Sequence, residues 1–379
     1  MSTPLKELCE LIVDCPHSTA PDEGVGYPLI RTPNIGPGYL DLANVQRVSK
    51  EVYNSRNART VPQPMDLILA REAPAGNVGI IREGQRVCLG QRTVLIRPNQ
   101  EKVDPWYLNY YLNAPQQRHR LLSSANGATV SHVNMPVIRN LPVSLPDLRT
   151  QRATAAVLQA YDNFIENNRR QIKLLEEAAQ RLYREWFIDL NFPGHKNAKI
   201  VDGVPEGWSR LRLKDLAPFR RGKVITAKVT QPGKIPVVAG GLGPAYYHSK
   251  SNAAAPVITV SGSGANAGFT RLYHQDIWAS DCSYLSSSDT PYIYFVYLCV
   301  KVLGRGFKHL QCGSAQPHVY PSHINDLEIL QPDASTLKKF ECIANLYYEK
   351  TKYEIEQISE AQEARDRLLP KLMSGEIKA

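Results

Sequence analysis

The chain repeats itself, and the repeat limits what it can fold into. When residue n is set beside residue n+186, Pro105 meets Pro291, Tyr111-Leu112 meets Tyr297-Leu298, and Gly127 meets Gly313. His132-Val133 then meets His318-Val319, Ile138 meets Ile324, Leu141 meets Leu327, and Pro146-Asp147 meets Pro332-Asp333. The same offset carries on through Tyr161/Tyr347, Gln171-Ile172/Gln357-Ile358 and Arg181-Leu182/Arg367-Leu368. One register without a gap from about residue 105 to 182 marks a duplication, so any fold assigned to one copy must serve twice. Upstream the copies drift, yet Leu5-Lys6-Glu7-Leu8 resembles Leu213-Lys214-Asp215-Leu216, and Gly76-Asn77-Val78-Gly79 resembles Ala265-Asn266-Ala267-Gly268.

Each copy ends in a long helical pattern. No Pro or Gly interrupts Leu148 to Phe187, and Leu158, Tyr161, Ile165, Asn168, Ile172, Leu175, Ala179, Leu182 and Trp186 follow in steps of three and four. That spacing is a heptad seam, with Asn168 as a polar position able to fix register. About 38 residues at ~1.5 Å each make a rod of roughly 57 Å. Asn191-Phe192-Pro193-Gly194 stops it. The second seam, Phe340, Ala344, Tyr347, Thr351, Glu354, Ile358, Ala361, Arg365 and Leu368, starts near Ser335, with Pro370 and Gly375 expected to close it. Two such helices can pair antiparallel as a spacer. The plainer alternative packs each one on its own domain.

Between the helices the pattern is α+β. Met65–Ala70, Gly79–Ile81, Thr93–Arg97, Pro236–Ala239 and Val257–Val260 read as strands, while Pro105–Asn113 and Pro291–Val302 read as short aromatic helices whose rings belong to the core. The expected division is 1–146 and 193–332 as recognition domains, with 147–192 and 333–379 as central and C-terminal spacer helices.

Charge follows this division. Residues 1–146 hold 15 Lys/Arg against 12 Asp/Glu, and 191–332 hold 15 against 8. The helical segments 147–190 (7 against 7) and 333–379 (8 against 9) are close to neutral, so all of the positive excess behind the net charge of +9 lies in the globular segments. Basic segments fit an acidic partner such as nucleic acid. Seven scattered cysteines without a C-x-x-C pair point to a reducing compartment and no zinc site. With no signal-peptide pattern and no apolar run longer than Tyr292–Val300, a cytoplasmic location is expected.

The chain offers little catalytic chemistry. Gly262-Ser263-Gly264-Ala265-Asn266-Ala267 matches G-x-G-x-x-A, but Gly268-Phe269-Thr270-Arg271 does not open the helix that a dinucleotide site requires. Asn113-Ala114-Pro115-Gln116 lacks the aromatic residue of an adenine-methylase loop, and Glu376-Ile377-Lys378 is only half of a nuclease centre, in a terminal tail. There is no P-loop, H-E-x-x-H or G-x-S-x-G. The chain reads as a binder.

Leu67-Ile68-Leu69-Ala70-Arg71-Glu72-Ala73-Pro74-Ala75-Gly76-Asn77-Val78-Gly79 with Cys88-Leu89-Gly90-Gln91-Arg92 resembles type I restriction–modification specificity subunits. Ile258–Gly268 with Trp278-Ala279-Ser280-Asp281-Cys282-Ser283-Tyr284 does too, as do the helix ends Leu182–Phe187 and Arg367–Ile377. The resemblance spans nearly the whole chain. It implies two target-recognition domains reading a bipartite double-stranded DNA site across an antiparallel helical spacer. It also implies two methyltransferase subunits that use S-adenosylmethionine, and translocase–nuclease subunits that use ATP and Mg, with no cofactor or metal in this chain. Half-sites one helical turn apart lie about 34 Å centre to centre, within reach of the rod.

Loop residues able to reach phosphates or base edges are the candidates for DNA contact. They are Arg71, Asn77, Gln91, Arg92 and His132 in the first segment, and Arg220, Arg221, Lys223, Asn266 and His318 in the second. Asn77/Asn266 and His132/His318 recur in both copies, so they should contact phosphate or hold structure, because base readers should differ between copies. Two other readings compete: a helical scaffold whose basic segments bind RNA or protein, and a self-contained restriction or methylation enzyme, which the missing motifs oppose.

Overall fold

The computed structural model describes residues 2–43, 45–72, 74–123, 132–304 and 318–379. Ala73, Gly127, Cys312 and Gly313 lie outside the described residues. The chain divides into two compact units, Met1–Glu166 with Ile358–Ala379, and Asn167–Gln357. Each contains one globular segment and half of each long helix.

In the first unit, β1 (Cys9–Asp14), β2 (Tyr27–Ile30), β3 (Gln46–Val48), β4 (Leu67–Ala70), β5 (Val78–Ile80), β6 (Cys88–Leu89) and β7 (Thr93–Pro98) precede the helix α1 (Pro105–Asn113). They form an antiparallel sheet of order β1-β7-β4-β5 and a three-stranded sheet of order β3-β2-β6 with one parallel pair. β4 is buried on both faces, as a central strand must be. Leu67 and Leu69 join a core with Tyr107, Leu108, Tyr111 and Leu112 of α1. Ile68 and Ala70 alternate to the other face, against Ile30, Ile35 and Leu89. Gly79 in β5 is required by close approach: a Cβ there would lie 2.6 Å from the Tyr39 carbonyl oxygen.

The helix α2 (Leu148–Phe187) follows, and the second unit repeats the plan. Its strands are β8 (Arg220–Arg221), β9 (Ile235–Val238), β10 (Pro244–His248), β11 (Val257–Ser261), β12 (Thr270–Tyr273), β13 (Trp278–Ala279) and β14 (Cys282–Ser286). Sheet orders are β8-β14-β11-β12 and β10-β9-β13, the same connectivity as before. The helices α3 (Ile293–Leu303) and α4 (Ala334–Ser374) complete it. Equivalent hydrogen bonds confirm the repeat: Leu5 N–H donates to Leu141 O and Leu213 N–H to Leu327 O, each at 2.9 Å.

The ladders correct one part of the sequence alignment. Leu69 pairs with Val78 and Val260 with Thr270; Gly76 N–H donates to Ala70 O, and Gly268 N–H to Ser261 O. Gly76 therefore matches Gly268, and Asn77 matches Phe269, not Asn266. The second connection is one residue longer, and loops this rich in Ala, Gly and Asn align in several registers until strand pairing selects one.

Both long helices are capped by the duplicated aspartate. Thr150 and Thr336 each donate a backbone N–H to Asp147 or Asp333 at 3.0 Å, and a hydroxyl to the other carboxylate oxygen. The two helices pair antiparallel. In the first unit, Leu158 packs with Leu372, and Arg365 Nη1 meets Asp162 Oδ1 at 2.6 Å. In the second, Phe340 packs edge-on to Trp186 and Phe187. Asn168, the polar seam position, is buried, and its Nδ2 has no partner among the described residues.

Pro370 does not close α4, contrary to expectation; the helix runs through it to Ser374, and Gly375 at φ 77° ends it. A proline inside a helix removes one N–H bond and costs about 3 kcal/mol. Leu368, Leu369, Leu372 and Met373 flank it and pack around Tyr110 and Leu158, and their burial offsets that cost. Among the described residues, no helix is long and apolar enough to cross a membrane.

Candidate DNA interface

The candidates of the first unit gather at one end of its four-stranded sheet, where β1 and β4 end and β7 begins. Arg71, just past β4, is buried. Its Nε donates to Val133 O at 2.9 Å, Nη1 reaches both oxygens of Asp14 at 2.8 and 2.7 Å, and Nη2 lies 2.8 Å from His132 Nε2. His132 Nδ1 contacts Glu72 Oε1, and Glu72 Oε2 receives Arg92 Nε at 2.8 Å. Arg92 is exposed and sits in the left-handed region at φ 64°, immediately before β7. His17 Nε2 lies 3.4 Å from Asp14 Oδ2, so one network runs His17–Asp14–Arg71–His132–Glu72–Arg92, with its two ends, His17 and Arg92, well exposed.

Gln91 donates to His17 O at 2.9 Å, and with Arg92 it lines a polar cleft of about 390 Å3. Arg31, Thr19 and Gln46 line the same cleft, and Arg31 Nε is buried there without a partner among the described residues. An orphaned buried donor suits an acceptor from outside. Asn77 O accepts from Ala70 N–H at this sheet end, and its side chain is engaged locally, Nδ2 donating to Ile35 O at 2.9 Å.

In the second unit, Arg220 and Arg221 lie in β8, and alternation sends them to opposite faces. Arg220 Nη2 holds both oxygens of Asp289 at 2.7 and 2.8 Å, with its guanidinium over Tyr284. Arg221 Nη2 meets Asp281 Oδ1 at 2.6 Å, with its guanidinium 5.8 Å from the Tyr320 ring centre. His318 stacks on Tyr320, 5.8 Å between centroids and 15° between planes, and its backbone forms a β-bridge with Ser263. Ser263 Oγ donates to Asp281 Oδ2 at 3.1 Å. Arg220-Arg221-Gly222-Lys223 is thus strand and close packing: a Cβ on Gly222 would lie 2.2 Å from Ser280 O. Lys223 is exposed, its backbone tied to Ala279 and Trp278. Asn266 lies elsewhere, in a cavity of about 760 Å3 with Arg271, Lys301, Tyr297 and Tyr348.

Cysteines adjoin both clusters. Burial raises the Cys15 thiol and pushes Cys282 up to about 12, so both stay neutral and the charge pattern belongs to Arg, Asp and Glu. The glycine-rich stretch at 262–268 makes a single turn, Gly264–Asn266, and leads into β12, so no helix N-terminus awaits a pyrophosphate. Among the described residues, no group of His, Cys, Asp and Glu is placed to hold a metal ion. The sequence reading missed Asp14, Glu72, Asp281, Arg31 and Tyr320. Glu72, beside Arg71, and Asp281 lie inside the resemblance motifs and Tyr320 lies two residues past His318, whereas Asp14 and Arg31 carried no local signal.

Residues 2–177 and 205–357 match the family described as "Type I restriction modification DNA specificity domain". The chain belongs to that family. Two matches, one in each copy, agree with the duplication. It is a DNA-specificity subunit of a type I restriction–modification system, and specificity subunits are not catalytic. The specificity subunit of the type I restriction enzyme MjaIX of Methanocaldococcus jannaschii is 24% identical over 383 residues, covering 89% of this chain and 85% of that one. A putative specificity subunit of enzyme MjaX from the same organism is 26% identical, covering 55% and 50%. The crystal structure of a type I restriction–modification S subunit from M. genitalium shares the fold, with a TM-score of 0.62 at 16% identity, covering 98% of this chain and 95% of that one.

Proposed function

We propose that this specificity subunit reads a bipartite double-stranded DNA site. Residues 1–146 and 193–332 each bind one half-site as target-recognition domains, and the helical segments 147–192 and 333–379 act as the spacer. Two methyltransferase subunits with S-adenosylmethionine, and restriction subunits with ATP and Mg, assemble on it in the cytoplasm and supply the chemistry. The single observation that carries this reading is the twofold occurrence of one strand-end cluster, built of Arg, His and carboxylates, in segments that hold the excess positive charge. Arg92, Gln91, Arg221, Lys223 and His318 would meet DNA directly. Arg71, His132 and Arg220 would hold those side chains in place, and Asn77 and Asn266 would shape neighbouring loops. Rigid strand ends suit recognition, since base readout needs donors and acceptors fixed to within a fraction of an ångström.

The test is a map of N6-methyladenine in cells expressing this chain with its cognate methyltransferase subunit, and in cells with the methyltransferase alone. The expected result is a motif of two short half-sites separated by a fixed gap, present only with this chain. An unchanged methylome with the methyltransferase expressed would overturn the reading and favour a scaffold.

A further inference from the structure

The two strand-end clusters occupy the same ladder positions with opposite charge. Asp14 pairs with Val94 in β7 and Arg221 with Ser283 in β14, each the second residue of its strand. Arg92 and Asp281 each stand immediately before the first residue of those strands. The outer-strand carboxylate of the first copy is thus a guanidinium in the second, and the guanidinium at the central-strand entry is a carboxylate. The frame around the inversion is constant: Val133 N–H donates to Arg71 O, and Val319 N–H donates to Gly262 O. One histidine stands beside each cluster, His132 and His318.

Exposure divides these groups. In the first copy the carboxylates of Asp14 and Glu72 are each 18% exposed and held between partners, Asp14 by Arg71 and His17 and Glu72 by His132 and Arg92, while Arg92 is 57% exposed. In the second, Arg221 and Asp281 are 47% and 35% exposed, so a cation and an anion are presented together. Phosphate binding does not account for a half-buried carboxylate that still reaches the surface at the strand end of the more basic segment, because DNA phosphates would repel it. Base reading does. A guanidinium carries only donors and fits guanine O6 and N7, whereas a carboxylate accepts from the cytosine N4 amino group. Exposed ion pairs are worth about 0–1 kcal/mol, so exchanging them for base edges costs little.

We infer that Arg92 in the first copy, and Arg221 with Asp281 in the second, are the residues that distinguish the two half-sites. This deepens the bipartite reading above and rests on it. The first cluster presents donors to an acceptor edge. The second presents a donor and an acceptor side by side, matched to both members of a G·C pair.

The experiment maps N6-methyladenine for the full chain with its methyltransferase subunit, as wild type, Asp281→Asn and Arg92→Gln, alongside thermal unfolding of each purified chain. Asp281→Asn should relax discrimination about tenfold at one base of one half-site. The other half-site and the gap should be unchanged. Arg92→Gln should do the same in the opposite half-site, which controls for folding because the change is confined to one half of one motif. An unaltered motif in both variants overturns the inference while the bipartite reading stands. Uniform loss of methylation over the whole motif also overturns it, as a structural role if unfolding shifts and as a phosphate contact if it does not. A wild type that yields no split motif removes the underlying reading and the inference with it.

Discussion

Arg71 and Arg92 are 21 positions apart in sequence and meet through one glutamate and one histidine, yet their situations are opposite. Arg71 is buried and shared among Asp14, His132 and the Val133 carbonyl, so Arg71→Ala would leave a largely covered carboxylate facing the exposed His17 at 3.4 Å. Breaking one side of such a pair costs about 3 kcal/mol. Lysine cannot restore three differently directed bonds from one ammonium group. Arg92→Gln removes a 57% exposed guanidinium from Glu72, which keeps its contact with His132, and should cost less, under about 1 kcal/mol. Denaturant unfolding of the two variants checks this, and equal midpoints would mean that the Arg71 network contributes no more than the Arg92 contact. Nothing local separates the two arginines: Asp14, which decides the matter, lies 57 residues before Arg71. The sequence therefore made both residues candidates and left their roles to the fold. The aspartate caps were closer to legible, because Asp147 and Asp333 precede their threonines by three in both copies.

Elements were the most legible level. Apolar spacing over Leu148–Phe187 matches α2, and the Pro105–Asn113 pattern matches α1, because uninterrupted periodicity reflects one buried face. Local rules failed where tertiary packing outweighed them. Short matches among Ala, Gly and Asn could not reveal that Gly76 corresponds to Gly268, since only the pairing of β4 with β5 and of β11 with β12 sets that register. Pro370 reads as a stop, yet α4 continues because Leu372 is buried beyond it. Pro370 is itself exposed, so its side chain contributes little to that packing. Pro370→Ala should then restore the missing N–H bond without loss of contacts and raise stability by about 1–3 kcal/mol. A lowered unfolding midpoint would mean that the proline supports the α4 terminus.

At the scale of the whole molecule, charge is unevenly shared between the copies. The second globular segment holds 15 cations against 8 anions, and the first 15 against 12. Much of what is exposed is already paired, as Arg220 is with Asp289 and Arg221 with Asp281, so the affinity that counterion release can supply depends on cations outside such pairs. Lys223 is exposed and belongs to no ion pair among the described residues, and it follows the strand that carries Arg221. A flexible ammonium beside a rigid reader is suited to phosphate, which holds position without reading sequence. Lys223→Gln, in the chain assembled with its methyltransferase subunits, should weaken binding to a duplex bearing the motif. The slope of log K against log salt should also become shallower by about one unit. The methylated motif should not change, in contrast to Asp281→Asn. Salt titrations of both variants on the same duplex separate the two roles. A Lys223 variant that shifts the motif would make it a base reader, and one that leaves the slope intact would place it off the DNA.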